Sequence, residues 1–188
     1  AFFPSPFQEA AVLTIDGVGE WATTSIASGY SNNLDFQKEL HFPHSLGLLY
    51  AAFTTYLGFK VNSGEYKVMG LAPYGKPTEL EKMRQIVQLK DNGKFELDLE
   101  FFKHHTEDIK YEWEHGEPLI GPLFTHYLEE LLGPSRKKEE KINQHHMNLA
   151  HSIQARYEEV FFHILDHLSN NYKSKKKIKG GIYGNASR

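Results

Sequence analysis

The residues best placed to do chemistry are Asp16-Gly17-Val18-Gly19, directly behind the run Ala10-Ala-Val-Leu-Thr-Ile15. A carboxylate at a strand end can hold a cation or a cation-bound water. Glycines beside it let backbone N–H groups approach a phosphate with no Cβ in the way. Taken alone, the Asp-Gly pair is also an ordinary hairpin turn, since glycine accepts the positive φ a tight turn needs. A second set is Glu65 and Lys67, inside residues 61–77, where three glycines and two prolines interrupt the chain. Val68, Met69 and Leu71 anchor this stretch, so it reads as an ordered functional loop. The eleven histidines are a third set. His163 and His167 are four apart, which places both imidazoles on one helix face. His145, His146 and His151 share their helix, His41 and His44 flank Pro43, and His104 and His105 are adjacent. The sequence fixes no third ligand for any pair, and exposed, solvated histidines are expected. Arg136, Lys137, Lys138 and Lys141 likewise read as solvated surface.

Those residues need a frame. Residues 11–15 are β-favouring and read as a buried strand. Residues 21–29 are small and β-branched and read as a second strand. In residues 34–41, Leu34, Phe36 and Leu40 alternate with Asp35, Gln37 and Glu39, which predicts a half-exposed third strand. Three consecutive antiparallel strands make a meander. A helix follows over 45–57, with Leu46, Leu49, Phe53 and Leu57 at three- and four-residue steps and Gly58 closing it. Residues 79–89 read as an amphipathic helix carrying Leu80, Met83 and Val87. Asn92-Gly93 turns the chain into a short strand over 95–99, and the charged, His-rich stretch 100–118 reads as a surface excursion. A helix over 123–132 stops at Gly133-Pro134. The longest helix covers 145–170, with Ala150, Ile153, Tyr157, Val160, Ile164 and Leu168 in one apolar stripe. A basic turn over 173–177 and a strand over 178–185 close the chain.

At 188 residues, with 40% hydrophobic and 24% charged content, the chain suits one well-buried core. A net charge of −3 gives no electrostatic reason to bind nucleic acid. Without cysteine there is neither disulfide nor thiolate metal site nor catalytic thiol. No apolar run approaches the ~20 residues of a membrane span, and no signal peptide is visible, so a cytoplasmic protein is expected. The Ala1 start, the apolar Ala1–Phe7 run and the abrupt Gly180-Gly181 turn suggest a fragment of a longer protein.

Three blocks together resemble the carbamoyltransferase family, which includes the nodulation-factor, cephalosporin and tobramycin O-carbamoyltransferases. The first is Phe2-Phe-Pro-Ser-Pro-Phe7 followed by Ala10–Trp21 and Thr23-Thr24-Ser25. The second is His44-Ser-Leu-Gly-Leu-Leu-Tyr50 with Leu57-Gly58-Phe59, running on through Gly64-Glu65-Tyr66-Lys67-Val68-Met69-Gly70-Leu71-Ala72-Pro73-Tyr74-Gly75. The third is Gly133-Pro134-Ser135-Arg136, His146 and Ala150-His-Ser-Ile-Gln154. The second block is the most specific, and the likeness is weak between 90 and 120.

The resemblance implies an α/β (mixed) fold of the actin/hexokinase/heat-shock ATPase type, with a ribonuclease H-like core that begins with a meander and a helix. It implies that residues 1–188 are a partial N-terminal domain, with core motifs at 10–75, a helical part at 79–170 and the start of a further strand at 178–185. A YrdC-like domain, absent here, would make carbamoyl-adenylate from carbamoyl phosphate and ATP. The first domain would move the carbamoyl group onto a hydroxyl of a small-molecule acceptor. In this scheme Asp16 matches the family's aspartate ligand for a divalent metal, iron(II) in type. The Gly17-Val18-Gly19 turn would face the adenylate phosphate, and Gly70 would also bind the cofactor. Glu65 and Lys67 would be catalytic residues contacting substrate or phosphate, the lysine by neutralising charge. The family's His-x-x-x-His pair would precede Ala1, a further aspartate would follow Arg188, and Ile178–Asn185 matches the family poorly. With one ligand of several, the fragment is expected to hold metal poorly and to be inactive. Phe2, Phe3 and Phe7 would lie bare and favour self-association. Two other classes fit the same residues: an ATPase or sugar-kinase-like phosphotransferase of the same fold, and a non-catalytic binding domain.

Overall fold

In a computed structural model the described residues are 2–106, 111–114 and 117–172. The expected basic turn and strand over 173–185 lie outside them. Strands β1 (Glu9–Ile15), β2 (Ala22–Tyr30) and β3 (Asn33–His41) form an antiparallel meander in chain order. Val12 pairs with Ala27, and Ala27 with Phe36. The β2–β3 register slips twice, between Ala22–His41 and Thr24–Leu40 and again between Ile26–Lys38 and Ala27–Phe36, where Gln37 is the extra residue of a bulge. Lys38 therefore shares a sheet face with Leu40 and is half-buried, while Phe36 is exposed.

Helix α1 (Leu46–Tyr56) follows the sheet, as expected. Ser45 caps it, its side-chain oxygen accepting the Leu48 N–H at 3.1 Å. Leu46, Leu49, Ala52, Phe53 and Tyr56 are all buried, so α1 is the central rod of the core rather than a surface helix. Along it lies α5 (Gln144–Asn171), whose predicted stripe is buried at Ala150, Ile153, Val160, Ile164 and Leu168. The Tyr50 hydroxyl donates to Gln154 Oε1 at 2.9 Å across this contact. Helix α5 begins with a capping box in which Asn143 and His146 satisfy each other's backbone N–H groups.

Residues 61–77 are not a loop. They hold helix α2 (Glu65–Leu71) and a 3-10 turn (Ala72–Tyr74). Burial overrides the glycine penalty there, because Val68, Leu71 and Ala72 pack inward. Pro73 falls early in the 3-10 turn, where it displaces no needed N–H. Gly75 runs against α5 so closely that a Cβ would sit 2.0 Å from Met147 O.

The predicted helix 79–89 is shorter than expected. It becomes α3 (Leu80–Ile86), and Val87 opens strand β4 (Val87–Lys90), paired with β5 (Lys94–Leu97). Asn92 and Gly93 take positive φ between them, which turns the chain back sharply. The stretch 100–118 is only partly a surface excursion: Phe102 is buried and bridges to Phe124, and His104 is buried beside it. Beyond it, β6 (Tyr111–Glu114) and β7 (Glu117–Ile120) pair antiparallel, and α4 (His126–Leu132) ends at Gly133. Phe2 is not bare. It is 5% exposed, its ring lying on Gly29 where a Cβ would come within 2.6 Å. Phe3 and Phe7 are exposed.

Candidate functional site

The turn after β1 is built around Asp16. Its N–H donates to Thr23 O at 2.8 Å, the last rung before β1 and β2 part. Its Oδ1 accepts the Gly17 N–H at 2.6 Å, and the residue is exposed. Gly19 takes φ +48°, and a Cβ there would be 2.8 Å from Ala22 O and 3.6 Å from Asp16 Oδ2. Glycine at this position therefore has both a conformational and a steric reason.

The turn is seated on the start of α1. The Ser45 hydroxyl lies within hydrogen-bond reach of the Asp16 and Gly17 carbonyls, at 3.0 Å from the first, while capping the helix. A Cβ on Gly47 would be 2.7 Å from Gly17 Cα and 3.0 Å from Asp16 O. Thr23 ties in the neighbouring backbone, its hydroxyl 3.1 Å from Leu40 O and 2.5 Å from His44 O. An exposed carboxylate and two glycines thus sit over the positive end of a helix, an arrangement suited to a cation-bridged anion.

Glu65, Lys67 and Gly70 form a separate group on α2. The Glu65 carboxylate accepts the N–H of Asn62 at 2.8 Å and of Gly64 at 3.1 Å, securing the helix start. Lys67 Nζ lies 6.0 Å from the Phe59 ring centre and 5.9 Å from that of Tyr66. Gly70 is exposed and has open space where a Cβ would be. Val18, in the Asp16 turn, is also exposed. The structure brings Asp16, Gly17, Val18 and Gly19 together, and Glu65, Lys67 and Gly70 together. Among the described residues no hydrogen bond or ion pair joins the two groups. The Asp16 turn lies at the N-terminus of α1, while Phe59, beneath Lys67, follows its C-terminus. The 11 residues of α1 rise about 16 Å between them.

The histidines are mostly structural. His163 Nε2 contacts Lys90 O at 2.8 Å, His151 Nδ1 contacts Ala72 O at 2.9 Å and His145 Nε2 contacts Leu132 O at 3.1 Å. His167 Nε2 meets Lys38 Nζ at 2.8 Å. The expectation of exposed histidines fails for His104 and His146, which are 6% and 4% exposed. Burial pushes the imidazoles of His44, His104, His146 and His167 below the ordinary histidine range. Among the described residues no three of His, Asp and Glu are grouped to hold a metal ion. Asp16 offers one carboxylate, so the described residues do not make up the metal site that the resemblance implies.

Ser45 and Gly47 stand in the second block of the resemblance with no role expected of them, although a serine just before an apolar helix is a capping signal. Arg136, expected to be solvated, is instead engaged. The guanidinium donates to the carbonyls of Leu57, Lys138 and Glu140 and stacks 5.3 Å from the Phe59 ring centre, fixing the turn after α1.

No helix among the described residues is long and apolar enough to cross a membrane. The family model "Carbamoyltransferase N-terminus" matches residues 1–187. Nodulation protein NolNO of Sinorhizobium fredii is 32% identical over 189 residues, covering 100% of this chain and 24% of that protein. Nodulation protein NolO of Bradyrhizobium diazoefficiens is 31% identical, covering 89% of this chain and 26% of that protein. An uncharacterized protein of Synechocystis sp. is 50% identical, covering 85% of this chain and 24% of that protein. The chain thus spans about a quarter of the length of these curated relatives. With its sequence matched almost from end to end, and with a mixed α/β structure that opens on a meander and a helix, the chain belongs to the carbamoyltransferase family, in its N-terminal part.

Proposed function

We propose that this chain is part of an O-carbamoyltransferase that moves a carbamoyl group from carbamoyl-adenylate to the hydroxyl of a small-molecule acceptor. The donor would be made from carbamoyl phosphate and ATP by a YrdC-like domain of the same protein. In the transfer, the acceptor oxygen bonds to the carbamoyl carbon. The bond from that carbon to the phosphate oxygen breaks, AMP leaves, and the hydroxyl proton is lost to a base.

The observation that carries this reading is the seat of the Asp16–Gly19 turn on the N-terminus of α1, within a chain of this family. Gly17 and Gly19 let the adenylate phosphate approach the backbone, and the positive end of α1 favours its charge. Asp16 is the residue here that would reach an iron(II)-type ion, a group that polarises a carbonyl when bound. Lys67, at the far end of α1, would neutralise a different part of an extended ligand, with Gly70 giving backbone access beside it. Glu65 would hold the start of α2 and present its remaining lone pairs to the acceptor.

The test uses the full-length protein. Asp16→Ala should lower carbamoyl transfer at least about 100-fold, the scale of losing one electrostatic stabiliser, while carbamoyl-adenylate formation continues. Loss of both steps together in a folded variant would count against this division of labour.

A further inference from the structure

We infer that the connection between β3 and α1 is a proton-operated latch on the Asp16 turn, closed while His44 and His104 are neutral and released when they take up protons. The connection is Phe42-Pro43-His44-Ser45, and its hydrogen bonds specify the neutral state of His44 and the place of one hydrogen on His104. His44 Nδ1 accepts the Leu97 N–H at 3.1 Å. A proton on that nitrogen would set one N–H against another, so the bond exists only for a ring with Nδ1 unprotonated. His104 Nε2 lies 3.0 Å from Pro43 O, and a carbonyl only accepts, so Nε2 carries the hydrogen there. Its Nδ1 is buried without a partner, as is Nδ1 of His105. A second proton on His104 would bury both a charge and an unsatisfied donor.

The surroundings oppose protonation. The His104 ring packs between Phe42, at 5.8 Å, and Phe102, at 5.5 Å, with His105 at 5.9 Å. The charged and titratable groups facing His44 are Glu96 on β5, Lys90 on β4, His105 and His104. Glu96 favours a charged His44, but it is paired with Lys90 at 3.1 Å, and Lys90 and His105 disfavour it. Burial disfavours charge on His104 most, its bond to Pro43 O favours it, and His105 and His44 both disfavour it. Protonating one imidazole of the three thus makes the others harder to protonate.

The latch reaches the turn through adjacent residues. His44 O receives the Thr23 hydroxyl, and the next residue, Ser45, both caps α1 and meets the Asp16 and Gly17 carbonyls. Protonation breaks the His44–Leu97 bond outright. A charged His104 still donates from Nε2 to Pro43 O, but its buried, unpaired Nδ1–H drives the ring from its pocket, and the two anchors that hold Ser45 under the turn go with these rings. The consequence is conformational and does not depend on the reaction the protein catalyses.

The test is nuclear magnetic resonance on the full chain, titrated from pH 8 to pH 5. At pH 8, His44 should show the tautomer with hydrogen on Nε2. The backbone amide signals of Gly17 and Gly47 should then shift with a midpoint below 6.5 that matches the His44 or His104 ring titration. Asparagine at 44 can still accept the Leu97 N–H, and glutamine at 104 can still donate to Pro43 O, and neither titrates. The double variant His44→Asn, His104→Gln should therefore lose that shift. Flat Gly17 and Gly47 signals through the ring titration would overturn the proposal, as would a His44 ring with hydrogen on Nδ1. A double variant that keeps the shift would overturn it too. If that variant does not fold, the tautomer and the matched midpoints in the parent chain decide.

Discussion

Gly47 and Gly70 are both helical glycines with opposite surroundings, and they separate close approach from mere tolerance. At Gly47 a methyl group would enter the backbone of Gly17, which cannot yield as a flexible side chain would. Gly47→Ala should therefore destabilise the protein by about 1–3 kcal/mol, the usual cost of overpacking, and displace the Asp16 turn. At Gly70 nothing lies within 4 Å. Gly70→Ala should raise stability by about 0.5–1 kcal/mol, because alanine has less conformational freedom to lose in a helix. Thermal melts of the two variants check both signs. A neutral Gly47→Ala would mean that the turn does not rest on α1 as described. At this scale the sequence disclosed Asp16 and its glycines, since residue type alone carries that signal. It did not disclose Gly47, because the reason for that glycine is a turn 30 residues earlier in the chain.

Among the elements, α2 and β4 show where local pattern fails. Gly70, Pro73 and Gly75 argued for a loop, and three inward-facing apolar residues on a packed surface outweighed them. Val87 continued a helical period, yet its carbonyl is held by α5. Arg156, 4% exposed, donates to Val87 O from Nε at 3.1 Å and from Nη2. Neither contact has a trace in local sequence. The meander, α1 and α5 were readable because their apolar periods run long enough to exclude the alternative. Replacing Arg156 by Met keeps the bulk and removes the donors. Arg156→Met should cost about 1–3 kcal/mol, the penalty for an unsatisfied buried carbonyl, and should raise hydrogen exchange in β4 and β5 more than in the meander. Equal protection in both sheets would show that Arg156 does not hold the hairpin.

For the molecule as a whole, the buried and half-buried histidines set its response to acid. His44, His104, His146 and His167 are all pushed down mainly by burial, so the unfolded chain binds protons that the folded chain refuses. Their contribution to stability is full above the ordinary histidine value of 6.5 and is lost as pH falls from there through the lowered folded values. Glu79, Glu129 and Glu159 are held down chiefly by Lys82, Ser135 and Arg84 respectively, and their contribution disappears at lower pH, below the ordinary value of 4.5. Denaturant midpoints should fall between pH 7.5 and pH 5.5, with a further drop below pH 4.5. A midpoint unchanged between pH 7.5 and pH 5.5 would contradict the burial of these rings.

The central claim is that the protein transfers a carbamoyl group, and two labels in one reaction test it most directly. The full-length protein would receive carbamoyl phosphate labelled on carbon, ATP labelled on its γ-phosphate, and a panel of polyhydroxylated acceptors. The carbon label should appear in the acceptor only when ATP is present, with the γ-phosphate label absent from that product. A γ-phosphate on the acceptor, or ATP consumed at the same rate without carbamoyl phosphate, would make the protein a phosphotransferase or an ATPase instead.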